Sequence, residues 1–133
     1  MSQNIWKFNE NEFEVDLTDA DTFERYWDAC EKLGERETEL KNFGPDRGFM
    51  RAYCEMFREF FDAAIGDGTS EKLFGSKNNT AACEAAYDDF IEFAGRQVKN
   101  ANEARFNRAQ RRNQNKKNGQ NQRQYKKNYG GRR

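Results

Sequence analysis

The sequence predicts a mainly α (α+β) fold: a small helical bundle with an N-terminal β-hairpin and a disordered basic C-terminal tail. Apolar residues alternate with polar ones over residues 6–17, which favours strands, and recur every three or four residues in later segments, which favours helices. Residues 111–133 contain no aliphatic and no acidic residue, so they cannot contribute to a hydrophobic core. With 133 residues, the chain is long enough for one modest domain.

The first predicted element is a hairpin of two short strands. Its apolar positions alternate with polar ones at period two: Trp6 and Phe8, then Phe13, Val15 and Leu17. Asn9, Glu10 and Asn11 lie between the two runs and have the composition of a turn. Because an isolated two-stranded hairpin is marginally stable in water, we expect its apolar face to pack against helices.

A first helix is predicted from the segment that follows the hairpin to about Leu40. Thr18 is the expected N-cap, with Asp19 and Asp21 in the first turn, where acidic side chains favour the positive end of the helix dipole. One buried stripe is predicted from residues at three- and four-residue spacing: Ala20, Phe23, Trp27, Cys30 and Leu33.

A second and a short third helix are predicted next. The second runs from Phe49 to Ile65, and its apolar face is wider than a single stripe. Glycines at positions 66 and 68 interrupt it, and Thr69 is the expected cap of the short helix. Gly75 is expected to end that helix in a left-handed conformation.

The last helix is predicted to be the longest. Asn79 is its expected N-cap, its apolar face fades past Val98, and helix-forming residues continue to about Arg112. We therefore predict a folded helical domain with its hairpin over residues 1–98, followed by a projecting helix end and a disordered basic tail over residues 99–133.

Charge is distributed very unevenly along the chain, although the formal net charge is zero. Residues 1–95 hold 22 acidic and 10 basic residues, a net charge of −12, whereas residues 96–133 hold 13 basic residues and one acidic residue, a net charge of +12. This asymmetry is typical of a basic arm that binds polyanions or acidic protein surfaces.

Residues that commonly carry catalysis are scarce. The chain has no histidine, and its three cysteines are far apart without CxxC spacing, so we expect free core thiols of a reducing compartment, no metal site and no cofactor. Asp88, Asp89 and Glu92 are interpreted as part of a solvated helix face, and the glycines near Thr69 lack the Walker spacing of a phosphate loop. We predict that the protein is not an enzyme.

The expected location is the bacterial cytoplasm. The first residues are acidic and lack the apolar stretch of a signal peptide. No run approaches the roughly 20 apolar residues that a membrane span requires. We therefore expect no contact with a membrane.

The basic segment over residues 96–117 resembles the arginine-rich RNA-binding helices of phage antitermination proteins. The positions able to contact phosphates or an acidic partner are Arg105, Arg108, Arg111, Arg112, Lys116 and Lys117. Phe106 and Tyr125 are the residues able to stack on bases. The alternative interpretation is a solubilising extension without a partner.

A second resemblance covers more of the chain and rests on three stretches. They read FEVDLTDADT over residues 13–22, FFDAAIGDGTSEKLFGSKNN over residues 60–79 and CEAAYDDFIEF over residues 83–93. They resemble a family of small proteins of Gram-positive phages and prophages. The genes of that family usually lie among tail genes, before the tape-measure gene, so the resemblance implies a tail assembly chaperone.

Such a chaperone would keep the hydrophobic tape-measure protein soluble and recruit tail-tube subunits until the tail polymerises. The residues we predict to bind the client are Met50, Phe57 and Phe61, with a place in the core as the alternative for each. The basic tail would bind an acidic tube subunit or the acidic faces of other copies. Nucleic-acid binding through the tail is the second hypothesis for function, and inhibition of a host enzyme is the third.

Overall fold

A computed structural model describes residues 4–44 and 46–127, with side chains described as far as residue 113. It confirms the predicted fold class, a helical bundle with an N-terminal two-stranded antiparallel hairpin. The elements in chain order are β1 (Ile5–Phe8), β2 (Asn11–Glu14), α1 (Ala20–Lys41), α2 (Phe49–Ala64), α3 (Thr69–Phe74) and α4 (Thr80–Lys127). The chain divides into two compact units, Met1–Val98 and Lys99–Arg133.

The hairpin is tighter than the sequence predicts. Asn9 and Glu10 form its loop, and Asn11 belongs to β2 rather than to the turn. Asn9 has a φ of 56°, a left-handed conformation that asparagine adopts more readily than most residues. The predicted alternation extends beyond the strand, because Val15 and Leu17 are both buried.

Trp6 anchors the hairpin to the helices of the first unit. It pairs with Phe13 across the sheet, and its ring stacks on Phe61 at a centroid distance of 5.6 Å. The edge contact with Phe90 has a centroid distance of 4.9 Å. The indole Nε1 donates a hydrogen bond to Asp89 Oδ2 at 2.8 Å, so the buried ring keeps its polar atom paired.

The N-cap of α1 is Asp19, which corrects the prediction of Thr18. The Asp19 carboxylate accepts hydrogen bonds from the backbone N–H and the hydroxyl of Thr22, both at 3.0 Å. The hydrogen bond from the Thr22 backbone N–H holds the pKa of the Asp19 carboxyl below its ordinary value. Thr18 instead donates to the Asp16 carboxylate, and that short turn leads the chain into the helix.

The buried face of α1 also differs from the predicted stripe. Ala20 is exposed and Trp27 is 55% exposed, whereas the neighbouring Tyr26 turns inward and meets the Phe90 ring edge-on at 6.0 Å. Farther along α1, Ala29 and Leu33 are buried as part of the core. Adjacent side chains leave a helix in directions about 100° apart, so Tyr26 and Trp27 both fit the three- and four-residue spacing of the stripe. Packing against Phe90 then places Tyr26 on the buried face.

The short helix α3 begins one residue earlier than predicted. Gly68 is its N-cap, with a φ of 89°, and Thr69 is the first helical residue. Asp62 of α2 accepts hydrogen bonds from the Ser70 backbone N–H at 2.9 Å and from the Ser70 hydroxyl at 3.0 Å. Gly75 ends the helix with a φ of 60° and a ψ of −133°, so its φ is positive but its conformation is not the predicted left-handed one.

Arg58 of α2 holds the loop between α3 and α4. Its Nη2 donates to the carbonyl oxygens of Gly75 and Lys77, both at 2.7 Å, and its Nε donates to Asn78 Oδ1 at 3.2 Å. The guanidinium carbon also lies 5.5 Å from the centre of the Phe74 ring. One side chain therefore fixes both the end of α3 and the approach to α4.

The start of α4 is the predicted one, and its end lies farther along the chain. Asn79 Oδ1 accepts the backbone N–H of Ala82 at 2.9 Å, which confirms the cap. Helical backbone continues past Arg112 to Lys127, because the intervening residues include several good helix formers and no proline. The rest of the predicted tail, residues 128–133, lies outside the described residues.

Gln97 of α4 joins this helix to the chain that leaves the hairpin. Its Oε1 accepts the backbone N–H of Leu17, and its Nε2 donates to the Val15 carbonyl oxygen at 2.9 Å and to Asn4 Oδ1 at 3.3 Å. The Gln97 side chain is buried, so both backbone groups are satisfied away from water.

Candidate functional site

The three residues predicted to bind a client occupy very different positions. Met50 is 66% exposed, but Phe57 and Phe61 are 3% and 0% exposed and belong to the core. Phe57 contacts Tyr87 of α4 at a ring centroid distance of 5.2 Å, and Phe61 stacks on Trp6. The prediction that Phe57 and Phe61 form a surface is therefore corrected, because α2 packs against α4 and the hairpin through these rings.

An open cleft lies where the end of α1 meets the start of α2. We call it the α1–α2 cleft; it has a volume of about 290 Å³ and is lined by Glu37, Leu40, Lys41, Phe49 and Tyr53. The Phe49 and Tyr53 rings stack at a centroid distance of 5.6 Å and an interplanar angle of 17°. The lining combines an apolar interior with one acidic and one basic side chain, a composition common in binding sites.

Two large apolar side chains adjoin this cleft in the chain and face solvent. Phe43, 45% exposed, lies in the connection after α1, and Met50, 66% exposed, lies in the first turn of α2. Single exposed apolar residues are ordinary, but these two lie close in the chain to residues that line the cleft, Lys41 and Phe49, and exposed apolar surface is a feature of protein interaction sites.

The wall of the cleft is held in place by a hydrogen bond to α4. The Tyr53 hydroxyl donates to Glu84 Oε2 at 2.7 Å. Burial, followed by this hydrogen bond, raises the pKa of Tyr53 well above its ordinary value, so the phenol stays protonated and remains a donor at neutral pH. A partner would meet a wall that is already ordered, which lowers the entropy cost of binding.

The basic residues predicted to bind polyanions are accessible as far as they are described. Arg105, Arg108, Arg111 and Arg112 are exposed on α4. Arg105 Nη1 donates to Asn102 Oδ1 at 2.8 Å, and within the described side chains none of the four forms an ion pair. Phe106 lies among them and is 61% exposed. The side chains of Lys116, Lys117 and Tyr125 lie outside the described residues.

Two of the other candidates for chemistry are engaged in contacts within the fold. Asp89 is bonded to Trp6, and Glu92 forms an exposed ion pair with Arg96 at 3.5 Å. Among residues 4–44 and 46–127, no cluster of His, Cys, Asp and Glu is suited to hold a metal ion. The cysteines are free, with Cys54 and Cys83 buried, as the prediction of core thiols requires.

Phe43 and the α1–α2 cleft were not predicted as a site from the sequence. A weak signal was present, because Phe43 lies between Asn42 and Gly44 in a segment with turn composition, where an apolar side chain has no helix face to join.

In the part of the chain that the structure describes, no helix combines the length and hydrophobicity needed to cross a membrane.

Fold and surface together define a small, mainly helical domain with an apolar cleft and an accessible basic helix. Over residues 9–127, the chain matches the family of unknown function DUF6673, and it belongs to this family. No curated protein and no solved structure gives a significant match.

Proposed function

We propose that this protein is a phage tail assembly chaperone, not an enzyme, which acts in the bacterial cytoplasm. It binds hydrophobic helices of the tape-measure protein and recruits tail-tube subunits. The observation that supports this proposal best is the α1–α2 cleft, with its aromatic wall and with the exposed Phe43 and Met50 close to its lining residues in the chain.

The chemistry of this patch suits a helical client. Amphipathic helices bind hydrophobic grooves by inserting side chains spaced three or four residues apart. The α1–α2 cleft is at the small end of the range for ligand sites, which suits one anchoring side chain rather than a whole small molecule. Met50 is flexible and polarisable, so it adapts to clients of different sequence.

Charge complements this role. Residues 1–95 carry a net charge of −12, and an acidic exterior keeps a complex with an apolar client dissolved. Glu37 and Lys41 at the cleft supply charged groups at the rim, where they contribute more to orientation than to affinity. The resemblance of three stretches of the sequence to phage tail-region proteins supplies the identity of the proposed client.

Co-expression with a tape-measure fragment from the same genome tests this proposal. The wild-type chain should keep the fragment in the soluble fraction, and the double variant Phe43→Asp, Met50→Asp should lose this ability while retaining its circular dichroism spectrum. Phe106→Asp is the matched control, since Phe106 is similarly exposed but lies on the second unit. A fragment that stays soluble with the double variant would refute the role of the patch.

Nucleic-acid binding is the second candidate function, favoured by the exposed Arg105, Arg108 and Arg112 with Phe106 among them. Six to ten phosphate contacts would reduce affinity by roughly 10³–10⁵ between about 50 and 200 mM salt. Titration with labelled RNA hairpins and duplex DNA measures that slope. Client binding through the apolar patch should instead persist at salt concentrations that screen the arginines.

A further inference from the structure

Three arginines of the second unit share one exposed face of α4. Arg105, Arg108 and Arg112 follow one another by three and four residues, so they lie on the same side of α4, which we call the basic face. All three are exposed, and within the described side chains none forms an ion pair. Several unpaired like charges on one helix face repel each other and favour an anionic partner.

A helix face of opposite charge lies on α1 of the same chain. Its members are exposed and spaced by three or four residues along the side opposite the buried face: Asp21, Glu24, Asp28, Glu31, Glu35 and Glu39. At 1.5 Å per residue this acidic face extends for about 27 Å. Among the described residues, its one ion pair joins Glu39 to Arg36 at 3.4 Å, so most of these carboxylates have no cationic partner.

Trp27 gives independent evidence that this side of α1 is an interface. The Trp27 side chain is 55% exposed, and among the described residues its ring contacts that of Phe23, at a centroid distance of 5.9 Å. By position on the helix it borders the acidic face between Glu24 and Glu31. A guanidinium fits an indole that lies beside carboxylates, because it stacks on the ring and at the same time donates hydrogen bonds to the carboxylates. Exposed tryptophans are enriched at the energetic centres of interfaces.

We propose that the basic face of α4 in one copy binds the acidic face of α1, with Trp27, in a second copy. Each copy then offers one surface of each kind, so the contacts either close reciprocally into a dimer or continue head-to-tail through further copies. This inference goes beyond the proposed chaperone function and uses a surface other than the α1–α2 cleft.

Charge favours a second copy over nucleic acid as the occupant. Residues 1–95 carry a net charge of −12 and repel a polyanion, whereas in a second copy the same charge meets the +12 of residues 96–133. The pairing reduces the unpaired charge on both faces at once, because the three arginines meet three of the six carboxylates. Because the groups involved are solvent-exposed, the association should be weakened strongly by salt.

Sedimentation velocity of the full chain, over about a hundredfold range of protein concentration, tests the proposal at low and high salt. We expect concentration-dependent association at low salt that is lost at high salt. The triple variant Arg105→Glu, Arg108→Glu, Arg112→Glu should be monomeric. The triple variant Glu24→Arg, Glu31→Arg, Glu35→Arg should be monomeric as well.

Mixing these two variant proteins should restore association, because each then meets a face of opposite charge on the other. A control with the same change in net charge, Glu55→Arg, Asp67→Arg, Glu71→Arg, alters exposed acids outside α1 and should associate like the wild type. Circular dichroism confirms that each variant is folded.

Tryptophan fluorescence reports the contact directly. Acrylamide reaches Trp27 but not Trp6, which is 1% exposed, so association should reduce quenching and Trp27→Ala should abolish that change. The proposal is overturned by a monomer at every concentration, by association that survives the arginine reversals, or by protection of Trp27 that does not depend on concentration, which would indicate a contact within one chain. Tight nucleic-acid binding without self-association would assign the basic face to nucleic acid instead.

Discussion

The buried amide of Gln97 offers a sharp test of how the hairpin is fixed to the helices. We expect Gln97→Met to destabilise the first unit severely. Methionine has similar length and no group that can replace the amide, so the variant loses the bond from the Leu17 N–H and the bond to the Val15 carbonyl oxygen. Both backbone groups lie in buried residues, where water does not replace the missing partner.

The magnitude follows from those two groups. Each buried backbone group left without a partner costs about 1–3 kcal/mol, so the variant should lose about 2–6 kcal/mol of unfolding free energy. The total stability of a domain of this size is about 5–15 kcal/mol, so the loss is a large fraction of it. The melting temperature should fall by about 4–8 °C for each kcal/mol lost.

Urea denaturation followed by circular dichroism, together with thermal melting, measures this loss. The matched control is Gln110→Met on the exposed part of α4, which should stay within about 0.5 kcal/mol of the wild type. A Gln97→Met variant that loses less than about 0.5 kcal/mol, with an unchanged denaturant slope, would show that water reaches these groups and would refute the reasoning.

Three further outcomes are expected. Phe61→Ala should cost about 3–5 kcal/mol in chemical denaturation, because the ring is fully buried against Trp6, whereas Met50→Ala should cost less than about 0.5 kcal/mol; equal effects would contradict the assignment of core and surface. A chain ending at Val98 should melt cooperatively near the temperature of the full chain in calorimetry, and a broad transition would show that later residues are structural. A thiol reagent at mildly alkaline pH should modify half-buried Cys30 before Cys83, because burial raises the pKa of both thiols but Cys83 is fully buried and its pKa rises to about 12. Mass spectrometry of the labelled protein decides the order.

Features set by neighbouring residues were predictable from the sequence. The Asn79 cap, the positive φ at Gly75 and the alternation that buries Trp6 and Phe13 each depend on a few adjacent positions. The N-cap of α1 was placed one residue early because Thr18 and Asp19 are both good caps, and the structure pairs Thr18 with Asp16 instead.

Features set by packing between distant elements were not predictable. The choice of Tyr26 over Trp27 for the core depends on where Phe90 lies, which the spacing within α1 does not specify. The wide apolar face of α2 left open which rings are accessible, and contacts with Trp6 and Tyr87 bury Phe61 and Phe57. The α1–α2 cleft combines residues of two helices, so it exists only once those helices have packed.

The contact made by Arg58 also affects how the chain withstands proteases. The peptide bond after Lys77 is the kind that trypsin-like enzymes cut, and its carbonyl oxygen, which such an enzyme must polarise, is held by Arg58 Nη2 at 2.7 Å. The loop cannot fit a protease cleft until this bond and the bond to Gly75 have broken. We therefore expect an arginine in the middle of α2 to slow cleavage after a lysine of a distant loop, and an Arg58→Ala variant to be cut there sooner in limited trypsin digestion.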